Sequence, residues 1–295
     1  MPELPDVVVY VERLAALFAG RTLDDVRLRS PFVLRTVDPP IQATFGRRVT
    51  GVCRLGKRIA LALDDSLFLV VHLMVAGRLR LRPASARPNR SQVLAVLRFG
   101  DDALWLTEAS KKQRASINVI AGEAALRALD PGGLNVLEAD LAAFETTLRR
   151  ERHTVKRALT DPHLFDGIGN AYSDEMLHLA RLSPVKRTDQ LTPDEVRRLY
   201  DAARATLRQW IRRTREEVGD GFPETVTAFR DGMRVHGRFR RPCPVCGSPV
   251  QRIVWTENEM NYCARCQTEG KALSDRVLAR LLGKSWTGWS LREDG

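Results

Sequence analysis

The chain has 295 residues, 44% of them apolar, with a formal net charge of +11 and a pI near 9.9. That length supports two domains with separate cores, and the positive excess favours a polyanionic partner, either nucleic acid or an anionic membrane surface. No apolar run reaches the ~18 residues of a membrane span and the N-terminus lacks a basic n-region, so a cytoplasmic protein is expected, nucleoid-associated if bacterial.

The start, MPELPD, puts Pro5 and Asp6 where the first turn of a helix accepts them, and VVVYVERLAALF is long enough to continue it. Pro2 and Glu3 are not needed for that helix. Removal of Met1 would give Pro2 a free secondary amine beside the Glu3 carboxylate, a pairing suited to nucleophilic chemistry.

The stretches TLDDVRLRS, RRVTGVCRLGKRIALALDD, SLFLVVHLMVAGRLRLR, SQVLAVLRFGDDALWLTE and ASINVIAG read as strands, rich in Val, Leu and Ile and broken by Gly and Asp-Asp turns. At these intervals they predict an antiparallel β-sandwich over residues 1–120. GRLRLR alternates, one face buried and one basic. Cys53 reads as a buried small hydrophobe, and Lys57 as a lysine following a glycine inside a strand.

From residue 121 to 235 the spacing turns helical, in DLAAFETTLRRERHTVKRAL, AYSDEMLHLARL and TPDEVRRLYDAARATLRQWIRRTREEV, the last opening on a Thr cap, Pro and acids. Gly167 and Gly169 precede Asn170 at the start of the second helix, where backbone N–H groups suit a phosphate, and Lys156 lies on the helix before. VGDGFPETVTAFRDGM reads as a loop, and LSDRVLARLL as a short helix near the end.

Four of the five cysteines lie in two Cys-x-x-Cys pairs, Cys243/Cys246 and Cys263/Cys266. In a reducing compartment that spacing predicts a zinc finger over 236–270, with one structural Zn²⁺ and a tail at 271–295. Four protein ligands leave no open position for water, so the metal is structural.

Taken together, MPELPD, Lys57 in RLGKRIAL, HLMVAGRL, VKRALTDPHLFDGIGNAYSDE and the terminal cysteine pairs resemble the bacterial formamidopyrimidine-DNA glycosylase/endonuclease VIII family over nearly the whole length. The resemblance implies an α+β fold: an N-terminal β-sandwich flanked by helices, then a helix–two-turn–helix domain with a zinc finger, with DNA in a basic cleft between. It implies a monomeric base-excision DNA glycosylase with abasic-site lyase activity, acting on oxidised or ring-opened bases. Pro2 would be the nucleophile, Glu3 the acid–base group and Lys57 a further catalytic residue, either a charge at the phosphate or a proton source in the pocket. His72, Lys156 and Asn170 would hold the DNA backbone, and the target nucleotide would be flipped from the stack.

Three features depart from the formamidopyrimidine branch, which carries HLGMSG, a DPRRFG loop and an arginine five residues before the third zinc cysteine. Here Met74 replaces a glycine and Val75 takes the place of the intercalating methionine, leaving both as wedge candidates. TEASKKQRAS lacks an aromatic ring and offers Lys111, Lys112 and Arg114 for phosphates. Asn258 replaces the arginine, which predicts a lower yield of the second, δ, elimination. A lost base-edge pair removes about 1–3 kcal/mol of discrimination, so weak preference for 8-oxoguanine opposite cytosine is expected. The alternatives are a non-catalytic binder of damaged or structured DNA on the same scaffold, which has no use for Pro2, Glu3 and Lys57 together, and an RNA binder, which competition between RNA and damaged DNA would reveal.

Overall fold

Helix α1 (Leu4–Phe18) forms because its apolar residues recur at helical spacing: Val7, Tyr10, Leu14 and Phe18 are all fully buried on one face. This is a computed structural model, and it describes residues 1–273 apart from 89–91, 111, 225, 227–228 and 256–257. Lys111 and the expected terminal helix, apart from Leu273, lie outside the described residues.

Among the described residues of the first unit, nine strands follow α1: β1 (Thr22–Leu23), β2 (Asp25–Leu28), β3 (Arg47–Leu55), β4 (Arg58–Leu63), β5 (Leu67–His72), β6 (Gly77–Pro83), β7 (Val93–Phe99), β8 (Asp102–Glu108) and β9 (Ser116–Ala121). They make a five-stranded sheet, β1-β3-β4-β5-β9, and a four-stranded sheet, β2-β7-β8-β6, with every pair antiparallel. Ile59, Leu69 and Val71 from the first sheet share one buried core with Leu79, Leu97 and Leu106 from the second and with α1, so the expected sandwich is present. The opposite face of the five-stranded sheet, with Ala60, Phe68 and Val70, is covered by Leu126 of α2 (Glu123–Ala128), a helix the sequence reading did not single out. Residues 1–131 and 209–227 group as one compact unit, and 132–208 with 228–295 as the other.

Two details of β3 and β4 correct the sequence reading. Lys57 lies not inside a strand but in a two-residue turn between them, with Gly56 at φ 60° and the hairpin closed by the Leu55–Arg58 pair. Cys53 is exposed, because a bulge between Val49 and Gly51 reverses which side chains face the core. Val49 and Val52 both face inward, so Cys53 faces out.

In the second unit, α3 (Leu141–Arg149) and α4 (Val155–Thr160) are separate helices where the sequence suggested one. Thr154 restarts the chain as the N-cap of α4, its hydroxyl accepting from the Arg157 N–H. Helix α5 (Asn170–Leu179) follows the GIG turn, and α6 (Pro193–Val218) opens on the expected cap. There Thr192 Oγ accepts from the Glu195 N–H, and a Glu195 carboxylate oxygen accepts from the Thr192 N–H. The cysteine segment forms the hairpin β10 (Gln251–Trp255) and β11 (Asn258–Tyr262), followed by α7 (Ala264–Gln267). Among the described residues no helix is long and apolar enough to cross a membrane.

Candidate functional site

In the first unit Met1 is partly buried and Pro2 and Glu3 are buried, with Glu3 only 2% exposed as the N-cap of α1. The Asp6 carboxylate turns back and accepts from the Glu3 backbone N–H at 2.8 Å, which fixes the entry of the chain into the helix. The Met1 amine lies within electrostatic reach of Glu3, Arg78, Asp6 and Lys57. Its pKa is held below the usual range chiefly by burial; Glu3 and Asp6 oppose that shift, while Arg78 and Lys57 add to it. The fold thus brings Lys57, 54 positions from Glu3 in the sequence, to the chain start through the β3–β4 turn.

His72 ends β5, paired with Arg58 on one side and Ser116 on the other. Burial, with the Arg58 and Lys57 charges, pushes its pKa down to about 4, so the ring is neutral at physiological pH. The next residues make a tight turn closed by the Gly77 N–H donating to the Leu73 carbonyl at 2.9 Å. Met74 sits in the left-handed region at φ 52°, a conformation natural to glycine. Val75 stands out of the turn, 57% exposed, whereas Met74 is half-buried. Of the two wedge candidates, Val75 is the one presented to the outside.

Two residues that the sequence reading passed over shape this surface. Arg78 donates to the carbonyls of Gly77 at 2.7 Å, Val75 at 3.3 Å and Val226 at 2.5 Å, bracing the turn from behind. Glu108, 2% exposed, accepts from the backbone N–H groups of Arg114 and Ala115 and from the Ser110 hydroxyl, each at 2.8 Å. It thereby holds the loop that carries Lys112 and Arg114. Its only sequence signal was a carboxylate ending a strand before a polar loop.

In the second unit Lys156 and Asn170 are brought together. The Lys156 ammonium, 6% exposed, donates to the Asn170 carbonyl at 2.6 Å, the Ser173 hydroxyl at 2.8 Å and the Asp174 carboxylate at 2.5 Å. An ammonium has three donors, and all three are used within the protein. The other Asp174 oxygen accepts from His236 Nδ1 at 2.8 Å and from the Asn261 backbone N–H at 3.1 Å. The Asn170 side chain donates to the Glu259 carbonyl at 2.6 Å. Glu175 accepts from the backbone N–H groups of Arg234, Val235 and His236 at 2.7–2.9 Å. Asp174 and Glu175 were visible in the sequence only as two acids in a helix. Their burial, which gives them meaning, was not.

The four cysteine sulfurs converge. Cys243 and Cys266 Sγ are 3.9 Å apart, and Cys246 and Cys263 Sγ 3.4 Å, close to the ~3.8 Å edge of a tetrahedron with ~2.3 Å zinc–sulfur bonds. The donor set therefore fits Zn²⁺. The ligand atoms of His178, Cys243, Cys263 and Cys266 also lie within 4.8 Å of one another.

Comparison with known proteins places these features in a family. Residues 1–114 match the family model of the formamidopyrimidine-DNA glycosylase N-terminal domain, and residues 132–220 that of the formamidopyrimidine-DNA glycosylase H2TH domain. The formamidopyrimidine-DNA glycosylase of Heliobacterium modesticaldum is 34% identical over 281 residues, covering 90% of this chain and all of that one. The structure of the MutM (Fpg) protein of Thermus thermophilus superimposes with a TM-score of 0.75 at 31% identity, covering 90% of this chain and 98% of that one. That of the Lactococcus lactis Fpg, in complex with an abasic-site DNA, gives a TM-score of 0.81 at 23% identity over 90% of this chain and 99% of that one, a likeness of fold. The chain belongs to the formamidopyrimidine-DNA glycosylase family.

Proposed function

We propose that this chain is a base-excision DNA glycosylase with an abasic-site lyase step, acting as a monomer on damaged DNA through the amine of Pro2. The observation that carries the proposal is the seating of the chain start among Glu3, Asp6, Lys57 and Arg78. Removal of Met1 would leave the secondary amine of Pro2 in this setting, and an ordinary α-amine, with a pKa of about 8, already has a neutral, nucleophilic fraction at physiological pH.

With Met1 removed, the Pro2 nitrogen bonds to C1′ as the bond to the base breaks. The base leaves with the electron pair and takes up a proton, while the nitrogen loses its own. Glu3 protonates the ring oxygen as C1′–O4′ opens, leaving an iminium, a general acid–base contribution of about 10²–10⁴-fold. The cationic nitrogen acidifies the C2′ hydrogen. Its loss to a base expels the 3′ phosphate, and water then hydrolyses the iminium and restores the amine. Lys57 and the neutral His72 ring hold the strand at this unit. Asn170, braced by Lys156, holds it at the other.

Zinc on Cys243, Cys246, Cys263 and Cys266 supplies folding stability to the ribbon and no open coordination position. Val75 is a short wedge, and the 109–115 loop has no aromatic ring to fill the vacated stack. Lesions in poorly stacked or single-stranded DNA, oxidised pyrimidines and abasic sites are therefore the proposed substrates, in preference to 8-oxoguanine opposite cytosine. The test is borohydride trapping of zinc-loaded protein whose mass shows Met1 gone. A covalent adduct with abasic oligonucleotides, lost in Pro2→Thr, is the expected result. Absence of an adduct, or equal trapping by the variant, would refute the enzymatic reading.

A further inference from the structure

Helix α5 presents three polar side chains four residues apart: Asn170, Asp174 and His178. That spacing puts them on one face. Each meets the cysteine-rich segment: Asn170 at the Glu259 carbonyl, Asp174 at the Asn261 N–H, and His178 Nε2 at 3.3 Å from Cys243 Sγ. The first two contacts explain themselves as hydrogen bonds to the ribbon backbone. The third does not, because a histidine 3% exposed lies against a sulfur already accounted for as a zinc ligand.

Two roles fit a ring nitrogen at that place. As a ligand, His178 would displace one sulfur, and a zinc-bound histidine normally passes its other N–H to a carboxylate or carbonyl. Here Nδ1 is buried with no hydrogen-bond partner among the described residues. A protonated Nδ1 would therefore be a buried donor with nothing to receive it, which is costly. As a hydrogen-bond donor through Nε2–H, the ring leaves only a lone pair at Nδ1, and the 3.3 Å separation suits N–H···S.

We propose that His178 is an outer-sphere positioning residue of the metal site, its Nε2–H donating to the Cys243 thiolate, so that α5 holds the cysteine cluster on the same face by which it holds Asn170. The proposal rests on the zinc reading above. Its physical effect is to draw charge from one of four thiolates. A Zn(Cys)₄ centre carries a net charge of −2, and Cys243 is 2% exposed, so a protein donor must do what water cannot.

The experiment compares zinc-loaded wild type, His178→Phe and His178→Gln by metal analysis, X-ray absorption and the rate of zinc transfer to a chromophoric chelator. The expected result is one zinc with a four-sulfur shell in all three. The Phe variant should lose zinc about tenfold faster, with most of the difference restored by Gln, which keeps an N–H. Should the Phe variant fail to fold, the wild type alone decides: zinc-loaded protein must show a slowly exchanging His178 Nε2 proton by NMR. A nitrogen in the wild-type shell, equal release from the Phe variant, or an absent ring proton would overturn the proposal. Wild type purified without zinc and unable to take it up would overturn the metal reading itself, an outcome visible before any variant is made.

Discussion

Replacing Lys156 separates two ways in which it can serve DNA binding. Its ammonium and the Asp174 carboxylate are 2.5 Å apart, with side chains 8% and 0% exposed. Lys156→Met leaves a buried carboxylate with its main counter-charge gone, and also strips the Asn170 carbonyl and Ser173 hydroxyl of a donor. Breaking such a pair from one side costs about 3–5 kcal/mol. For a protein of this size that corresponds to a melting shift of roughly 6–20 °C. Calorimetry of the DNA-free, zinc-loaded protein measures it. Lys156→Met/Asp174→Asn should recover a large part of the loss, because no uncompensated charge remains. The salt dependence of DNA binding is the second readout. A direct phosphate contact contributes about 0.9 to the slope of log K against log salt. With all three donors used internally, the variant should bind more weakly but change the slope by less than about 0.5. A melting shift under ~2 °C combined with a slope reduced by about one unit would refute this reasoning and make Lys156 a phosphate ligand.

Three further outcomes follow from the first unit. Gly77→Ala should unfold or rearrange the 73–77 turn, since a Cβ there would lie 2.2 Å from the Leu73 carbonyl oxygen and 3.0 Å from Ala115 Cβ. A variant within about 1 °C of wild type in melting temperature would show the turn to be more yielding than it stands. His72 is neutral when folded because its pKa falls from 6.5 to about 4. The unfolded chain binds the extra proton first, so stability is full above pH 6.5 and drains away as pH falls toward 4. Urea melts of His72→Asn should show a shallower loss across that window, and an unchanged pH dependence would count against it. The single-turnover trapping rate of protein lacking Met1 should fall as acid protonates the Pro2 amine, with its midpoint below the ordinary value near 8, because Pro2 is buried and burial already lowers the Met1 amine. A midpoint at or above about 8 would place the amine in open solvent.

Much of this was readable in the sequence where side-chain pattern and backbone agree. The strands of the sandwich, the capped start of α6 and the two cysteine pairs were all announced by periodicity, turn residues or ligand spacing. Reading failed where one residue alters the register. The Val49/Gly51 bulge sent Cys53 outward, and the Gly56–Lys57 turn took Lys57 out of its strand. It also failed for charges whose purpose is set by burial. Asp174, His178 and His236 are unremarkable letters in the sequence. Only the folded chain brings Lys156, Asp174 and His236 into one buried chain of hydrogen bonds, from α4 through α5 to the segment ahead of the cysteines. Pattern reading assigns charged residues to surfaces by default, and the second unit keeps several of its charges inside.

The same principle governs the proposed nucleophile, with the sign arranged differently. The Met1 amine, in whose place the Pro2 amine would stand after processing, lies ahead of the N-terminus of α1, where the unpaired backbone N–H groups present a partial positive charge. An ammonium is disfavoured there, as it is by burial and by the Arg78 and Lys57 cations. Glu3 and Asp6 pull the other way, and Asp6 is partly occupied in accepting from the Glu3 N–H. The net shift is downward, because burial is the largest of these effects and the carboxylates only moderate it. A start that would fray in most proteins is thus pinned at the entry to a helix, and the attack proposed for Pro2 would begin from that fixed position once Met1 is removed.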